Sequence, residues 1–159
     1  MTAALRIIPD RCTGCMQCEL ACSWAKTGAF QPSASLIRVH IFDEEAAYAP
    51  LTCLQCDEAW CMTVCPTNAI VQETATGTKR IVQSLCIGCH LCSLTCPFGT
   101  VFTQAADGQA VKCDLCEGEP ACQAACPTAA IEFTGDGGPA DWFGAWGDRV
   151  ARRHEEALS

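Results

Sequence analysis

No stretch of the sequence approaches the roughly 20 consecutive apolar residues that a membrane-spanning helix needs, so direct insertion into a bilayer is not expected. Positive charge is scarce. Lys and Arg total ten against eighteen Asp and Glu, for a formal net charge of −8, and the ten nowhere form a block. This argues against a nucleic-acid surface and implies partners that present basic or apolar docking faces. The sequence also lacks a phosphate-binding glycine loop, a dinucleotide fingerprint and a nucleophile elbow. Residues 1–10 contain no basic region followed by a long apolar run, so no signal peptide is expected before Cys12 and the chain reads as cytoplasmic.

What the sequence has in abundance is cysteine, sixteen residues or about a tenth of the chain. Such a level means a disulfide scaffold or a metal protein, and a reducing cytoplasm disfavours the disulfides. The sixteen fall into four quartets: Cys12, Cys15, Cys18, Cys22; Cys53, Cys56, Cys61, Cys65; Cys86, Cys89, Cys92, Cys96; and Cys113, Cys116, Cys122, Cys126. Three quartets end in Cys-Pro, at Pro66, Pro97 and Pro127, and similar phrases follow: Thr67-Asn68-Ala69-Ile70-Val71, Phe98-Gly99-Thr100-Val101-Phe102 and Thr128-Ala129-Ala130-Ile131. The chain is an internal repeat.

Between quartets, short β-branched runs flank turn residues. Residues 69–72 and 80–83 around Thr76-Gly77, and 100–104 and 110–112 around Asp107-Gly108, predict small antiparallel hairpins, with a further strand at 36–42. Helical turns are expected between each third and fourth cysteine, ended by the prolines. These elements are too short to bury much hydrocarbon, so bound metal would form a large part of the core and the apoprotein should be largely unfolded.

The run C-x2-C-x2-C wraps one loop around one face of a [4Fe–4S] cube, and the next cysteine turns away towards the other cluster of a pair. Gly14 and Gly88 suit a backbone that passes close to sulfur and iron, since glycine has no Cβ and tolerates positive φ. Zinc would use Cys-x-x-Cys pairs but leaves the third and fourth cysteines and the Cys-Pro endings unexplained. A thioredoxin-like switch would need a βαβ surround that is missing. The reading is four [4Fe–4S] clusters. Spacing by itself leaves open which quartets pair.

With these quartets in order, together with Lys112-Cys113-Asp114-Leu115-Cys116 and Pro120-Ala121-Cys122, the chain over roughly residues 5–134 resembles the four-cluster ferredoxin-type electron-transfer subunits related to the iron–sulfur subunit of dimethyl sulfoxide reductase. The first phrase, Cys12-Thr13-Gly14-Cys15 with Cys18-Glu19-Leu20-Ala21-Cys22-Ser23, Phe30, Pro32-Ser33, Ser35 and Ile37-Arg38-Val39, looks most like the small subunits that accompany tungsten-containing aldehyde oxidoreductases. The resemblance implies an α+β, ferredoxin-like fold of two interlocked two-cluster modules: residues 1–48 with 105–138, and a nested module at 49–104. It implies cluster one on Cys12, Cys15, Cys18 and Cys126, and cluster two on Cys113, Cys116, Cys122 and Cys22. Cluster three falls to Cys53, Cys56, Cys61 and Cys96, and cluster four to Cys86, Cys89, Cys92 and Cys65. Family members often carry proline before the third cysteine of the second quartet, where this chain has Trp60.

Other residues draw weaker readings. His90, inside a complete quartet, reads as a solvent-facing loop residue and not a ligand. Trp24 and Trp60 sit beside ligands and either shield a cluster from water or simply pack; His40 and His154 have no ligand neighbours. In the cysteine-free tail at 139–159, Trp142, Trp146 and Val150 recur at helical spacing despite Gly144 and Gly147, which suits either packing on its own domain or docking to a partner subunit. The chain is expected to be an electron carrier and not a catalyst, with low potentials from all-cysteine ligation. Its expected partners are a tungsten or molybdenum catalytic subunit and a second redox protein such as a flavoprotein, with self-association permitted. The alternatives are a ferredoxin subunit of a hydrogenase, formate or carbon monoxide dehydrogenase, or an assembly scaffold whose clusters are structural.

Overall fold

The computed structural model describes residues 3–43 and 47–134; the tail at 139–159 lies outside them. Among the described residues the strands form four two-stranded antiparallel sheets. β1 (Ala4–Ile7) pairs with β8 (Ile131–Thr134), β2 (Arg38–Phe42) with β3 (Ala47–Leu51), β4 (Ile70–Gln72) with β5 (Lys79–Ile81), and β6 (Val101–Thr103) with β7 (Ala110–Lys112). The last two are the hairpins expected from the turn residues, and their loops are built alike. Glu73 N–H donates to Thr78 C=O at 2.9 Å and Gly77 N–H to Glu73 C=O at 2.8 Å, while Gln104 N–H donates to Gln109 C=O at 2.8 Å and Gly108 N–H to Gln104 C=O at 2.9 Å. Gly77 and Gly108 both take φ of 70°, the left-handed turn that glycine adopts without strain.

The predicted strand at 36–42 starts at Arg38, because Leu36 and Ile37 are buried and Ser35 Oγ bonds the backbone of Ile37 at both ends, at 2.7 and 3.2 Å. Its partner β3 and the pair β1–β8 carry no turn signal in the sequence. Nothing local announces the second pairing, which joins Leu5 to Phe133 and Ile7 to Ile131.

Helices α2 (Trp60–Thr63), α3 (Leu91–Thr95) and α4 (Ala121–Ala124) are single turns that stop before Cys-Pro, since proline lacks the N–H a continuing helix needs. In the first quartet Ser23 stands where the others have proline, and α1 (Gln17–Thr27) runs on through Cys22 to a left-handed Gly28 cap at φ 70°. Trp60, in the place of the family's proline, leaves α2 intact as its first residue. Helix α1 packs on α4, and α2 on α3.

Cysteine occupies much of the interior. One core gathers Leu5, Ile7, Ile37, Leu115 and Ile131 around Cys18, Cys22, Cys53, Cys113 and Cys122. A second is made of Ile70, Cys92, Val101 and Ala110, with Cys61, Cys65, Cys86 and Cys96 packed against it. Among the described residues no helix is long and apolar enough to cross a membrane.

Candidate metal centre

All four quartets open on the same backbone device. The residue before the second cysteine has positive φ in each: Gly14 at 68°, Gln55 at 52°, Gly88 at 67° and Leu115 at 61°. Two of these are glycine for an added reason. A Cβ on Gly14 would lie 2.6 Å from the Tyr48 ring, and one on Gly88 would lie 2.9 Å from the carbonyl oxygen of Gly108. Gln55 and Leu115 adopt the same left-handed turn at the steric cost that a side chain brings, held by burial at 2% and 1% exposure.

The fourth cysteines share a second device. Ala69 N–H donates to Cys65 Sγ and Ala130 N–H to Cys126 Sγ, both at 3.2 Å, and the hydroxyls of Thr67 and Thr128 lie 3.7 and 3.8 Å from the same sulfurs. Thr100 does both jobs for Cys96, its hydroxyl 3.6 Å away. A left-handed residue three places after the cysteine turns the chain back to make this cradle: Asn68, Gly99 and Ala129. Burial raises these three thiols, but the donated hydrogen bonds outweigh it and hold each below its ordinary value. Cys22, without the Cys-Pro turn, is served from far along the chain instead, by Leu36 N–H at 3.3 Å.

Seven other thiols are pushed the other way. Burial, then the Glu19 carboxylate and Cys12, raise Cys18 to about 12; burial raises Cys113 to about 12. Burial and the neighbouring cysteines also raise Cys12, Cys56, Cys61, Cys92 and Cys122. Thiolates packed this way need positive charge delivered among them, which suits a metal that displaces the protons as it binds.

These interactions show which cysteines the fold brings together. Cys12 has Cys15 and Cys126 as electrostatic neighbours, and Cys18 has Cys12 and Cys15. Cys122 faces Cys113, Cys22 and Cys116. Cys53, Cys56, Cys61 and Cys96 line one cavity of about 290 Å³, and Cys65, Cys86, Cys89 and Cys92 line another of about 20 Å³. Among the described residues no three His, Cys, Asp or Glu side chains form a group suited to one metal ion; each cavity instead sets four cysteines around a shared space, with N–H groups directed at sulfur. That donor set fits an all-thiolate [4Fe–4S] cube. All sixteen cysteines are free of disulfides.

The other singled-out residues are placed as follows. Trp60 is 62% exposed and lines the larger cavity with Phe98. Trp24 is 54% exposed and stacks on Phe30 at 4.9 Å between ring centres. His90 lines the smaller cavity, its Nδ1 3.2 Å from the Thr103 hydroxyl, so it is tied to β6 and less free than a solvent-facing loop residue. His40 is exposed, and His154 lies outside the described residues. Sequence reasoning missed Glu19, which accepts from Val39 N–H at 2.7 Å and so joins α1 to β2. It also missed Gln55, Lys79 and Lys112, buried together beside the larger cavity. Their only hint was position: Gln55 and Lys112 adjoin the ligands Cys56 and Cys113, and Lys79 adjoins the strand expected at 80–83.

Residues 44–136 and residues 11–69 each match a 4Fe-4S dicluster domain. The aliphatic sulfonate oxidoreductase, polyferredoxin-like subunit of Pyrococcus furiosus is 40% identical over 124 residues, covering 77% of this chain and 70% of that one. The electron transport protein HydN of Escherichia coli K12 is 34% identical over 150 residues, covering 79% of this chain and 85% of that one. In overall fold, the chain is similar to one in the active site complex BamBC of benzoyl coenzyme A reductase with 1,5 dienoyl-CoA, at TM-score 0.50 and 24% identity, over 84% of this chain and 75% of that one. With cysteine loops, sulfur cradles and sequence in agreement, the chain belongs to the 4Fe-4S dicluster domain family, as a ferredoxin-type iron–sulfur subunit.

Proposed function

We propose that this chain holds four [4Fe–4S] clusters in a row and relays single electrons between the catalytic subunit of an oxidoreductase complex and a second redox partner such as a flavoprotein. A bound cluster supplies the one-electron couple; the chain's own work is to hold it, bury it and donate hydrogen bonds to its sulfurs. The ligand sets are Cys12, Cys15, Cys18 and Cys126 (set one), Cys113, Cys116, Cys122 and Cys22 (set two), Cys53, Cys56, Cys61 and Cys96 (set three), and Cys86, Cys89, Cys92 and Cys65 (set four). The observation that carries this reading is the pair of cavities, each lined by all four cysteines of one set.

The order one, two, three, four rests on three contacts. Sets one and two share the packed helices α1 and α4, with Cys122 facing Cys18. Cys113 of set two faces Cys53 of set three, and α2 packs on α3 between sets three and four. The packing of α1 on α4 and of α2 on α3, with the β1–β8 closure, supports a module of residues 1–48 with 105–138 enclosing one of 49–104. For the catalytic partner we favour a tungsten aldehyde oxidoreductase, on the first-quartet phrase, with the complex in the cytoplasm.

Two measurements test this. Anaerobically purified protein should carry about sixteen irons per chain, as four cubes require, all reversibly reducible at low potential; far fewer irons, or clusters that accept no electron, refute the relay. Capture from native cells followed by metal analysis should find tungsten with the partner. Nickel there would move the assignment to a hydrogenase or carbon monoxide dehydrogenase.

A further inference from the structure

Lysine is almost never fully buried unless its charge is compensated, yet Lys79 is 1% exposed and Lys112 5%. They begin β5 and end β7, strands that lie against each other. Lys112 Nζ donates to the carbonyls of Lys79 and Cys113, the latter at 2.9 Å, and Lys79 Nζ donates to the carbonyl of Gln55 at 3.3 Å. Gln55 completes the lattice: its Oε1 accepts from Lys79 N–H and its Nε2 donates to Cys113 C=O, both at 2.8 Å. Both lysines line the cavity of Cys53, Cys56, Cys61 and Cys96. Their charges act on different sulfurs, Lys79 on Cys56, and Lys112 on both Cys61 and Cys113.

We propose that Lys79 and Lys112 make the set-three cluster the easiest of the four to reduce, and that Lys112, shared with set two, also sets the relative ease of the step between the two modules. The inference rests on the relay reading above. Reduction adds one electron, delivered by the partner oxidoreductase through a neighbouring set, and no bond is made or broken. The added negative charge lies beside ammonium groups shielded from water, where charge acts more strongly than at the surface, so the reduced state is favoured without proton uptake. The energetic cost of burying two cations is borne by the fold, which a merely structural strand contact would not demand.

The test is an anaerobic potentiometric titration of the full chain with its clusters, followed by electron paramagnetic resonance. Lys79→Met should lower the reduction equilibrium constant of a single cluster at least tenfold, about 59 mV for a one-electron couple. Lys112→Met should lower two, while Lys79→Arg and Lys112→Arg, which keep the charge, restore most of the loss. Arg80→Gln, at an exposed neighbouring position, should move none. Met variants that retain full iron with unshifted potentials, a uniform shift of all four clusters, or equal shifts in Met and Arg variants would overturn the proposal. Should the Met variants lose iron, the wild-type titration decides. One cluster at least tenfold easier to reduce than the rest, preserved in the Arg variants, supports the assignment, and four coincident transitions refute it. Iron content and reducibility are read first, so failure of the relay and failure of the lysine assignment are told apart.

Discussion

Lys26 Nζ lies 2.5 Å from Asp114 Oδ1, an ion pair that fastens the last turn of α1 to the first loop of the fourth quartet across 88 positions of sequence. Asp114 Oδ1 also accepts from Cys116 N–H at 3.0 Å, so one carboxylate both clips two distant segments and shapes a cysteine loop. Burial raises this carboxyl, but the Lys26 hydrogen bond and the Cys116 N–H outweigh it and hold it below its ordinary value.

From these two duties, Lys26→Met should cost about 1 kcal/mol, the range of a partly exposed pair. Asp114→Ala should cost about 1 kcal/mol more by removing the loop acceptor as well, and Asp114→Asn should fall between, since its amide oxygen still accepts from Cys116. The half-life of visible absorbance on anaerobic heating should shorten in the order Lys26→Met, Asp114→Asn, Asp114→Ala; equal half-lives for wild type and Asp114→Ala would refute this account.

Gly14→Ala and Gly88→Ala should each destabilise by about 1–2 kcal/mol from positive φ alone, with the clash added. The two differ in remedy. Tyr48→Ser opens space beside residue 14 and should recover part of the iron lost by Gly14→Ala. No side-chain truncation helps Gly88→Ala, because its obstacle is the backbone carbonyl of Gly108. Iron per chain in the single and double variants reads the difference.

Thr67→Val and Thr128→Val remove hydroxyls directed at Cys65 and Cys126 while keeping shape. Hydrogen bonds to sulfur favour the reduced cluster, so each variant should make one cluster harder to reduce by a few-fold, at unchanged iron content. Thr67→Val should act at set four and Thr128→Val at set one. A shift in the same cluster for both would argue against the ligand sets.

Stripping iron with a chelator under reducing conditions should abolish most of the ordered secondary structure, because among the described residues five of the twelve in the larger core are cysteines and metal binding there is folding free energy. Far-ultraviolet circular dichroism before and after chelation checks it; a native-like spectrum in the iron-free chain would contradict it.

Legible in the residues alone were the features that act over a short span: the four quartets, the hairpins at Thr76-Gly77 and Asp107-Gly108, the helices halted by Cys-Pro, and glycine at two of the four left-handed turns. Each follows from the steric rules of a residue and its near neighbours. Long-range docking is what closes β1 on β8, lets Leu36 supply the sulfur donor Cys22 lacks, and seals Lys79, just outside the strand expected at 80–83, and Lys112, inside the one expected at 110–112, beside Cys56, Cys61 and Cys113. These depend on which segments dock across most of the chain's length, and docking is set by the summed burial of many weak contacts, which no spacing between cysteines records.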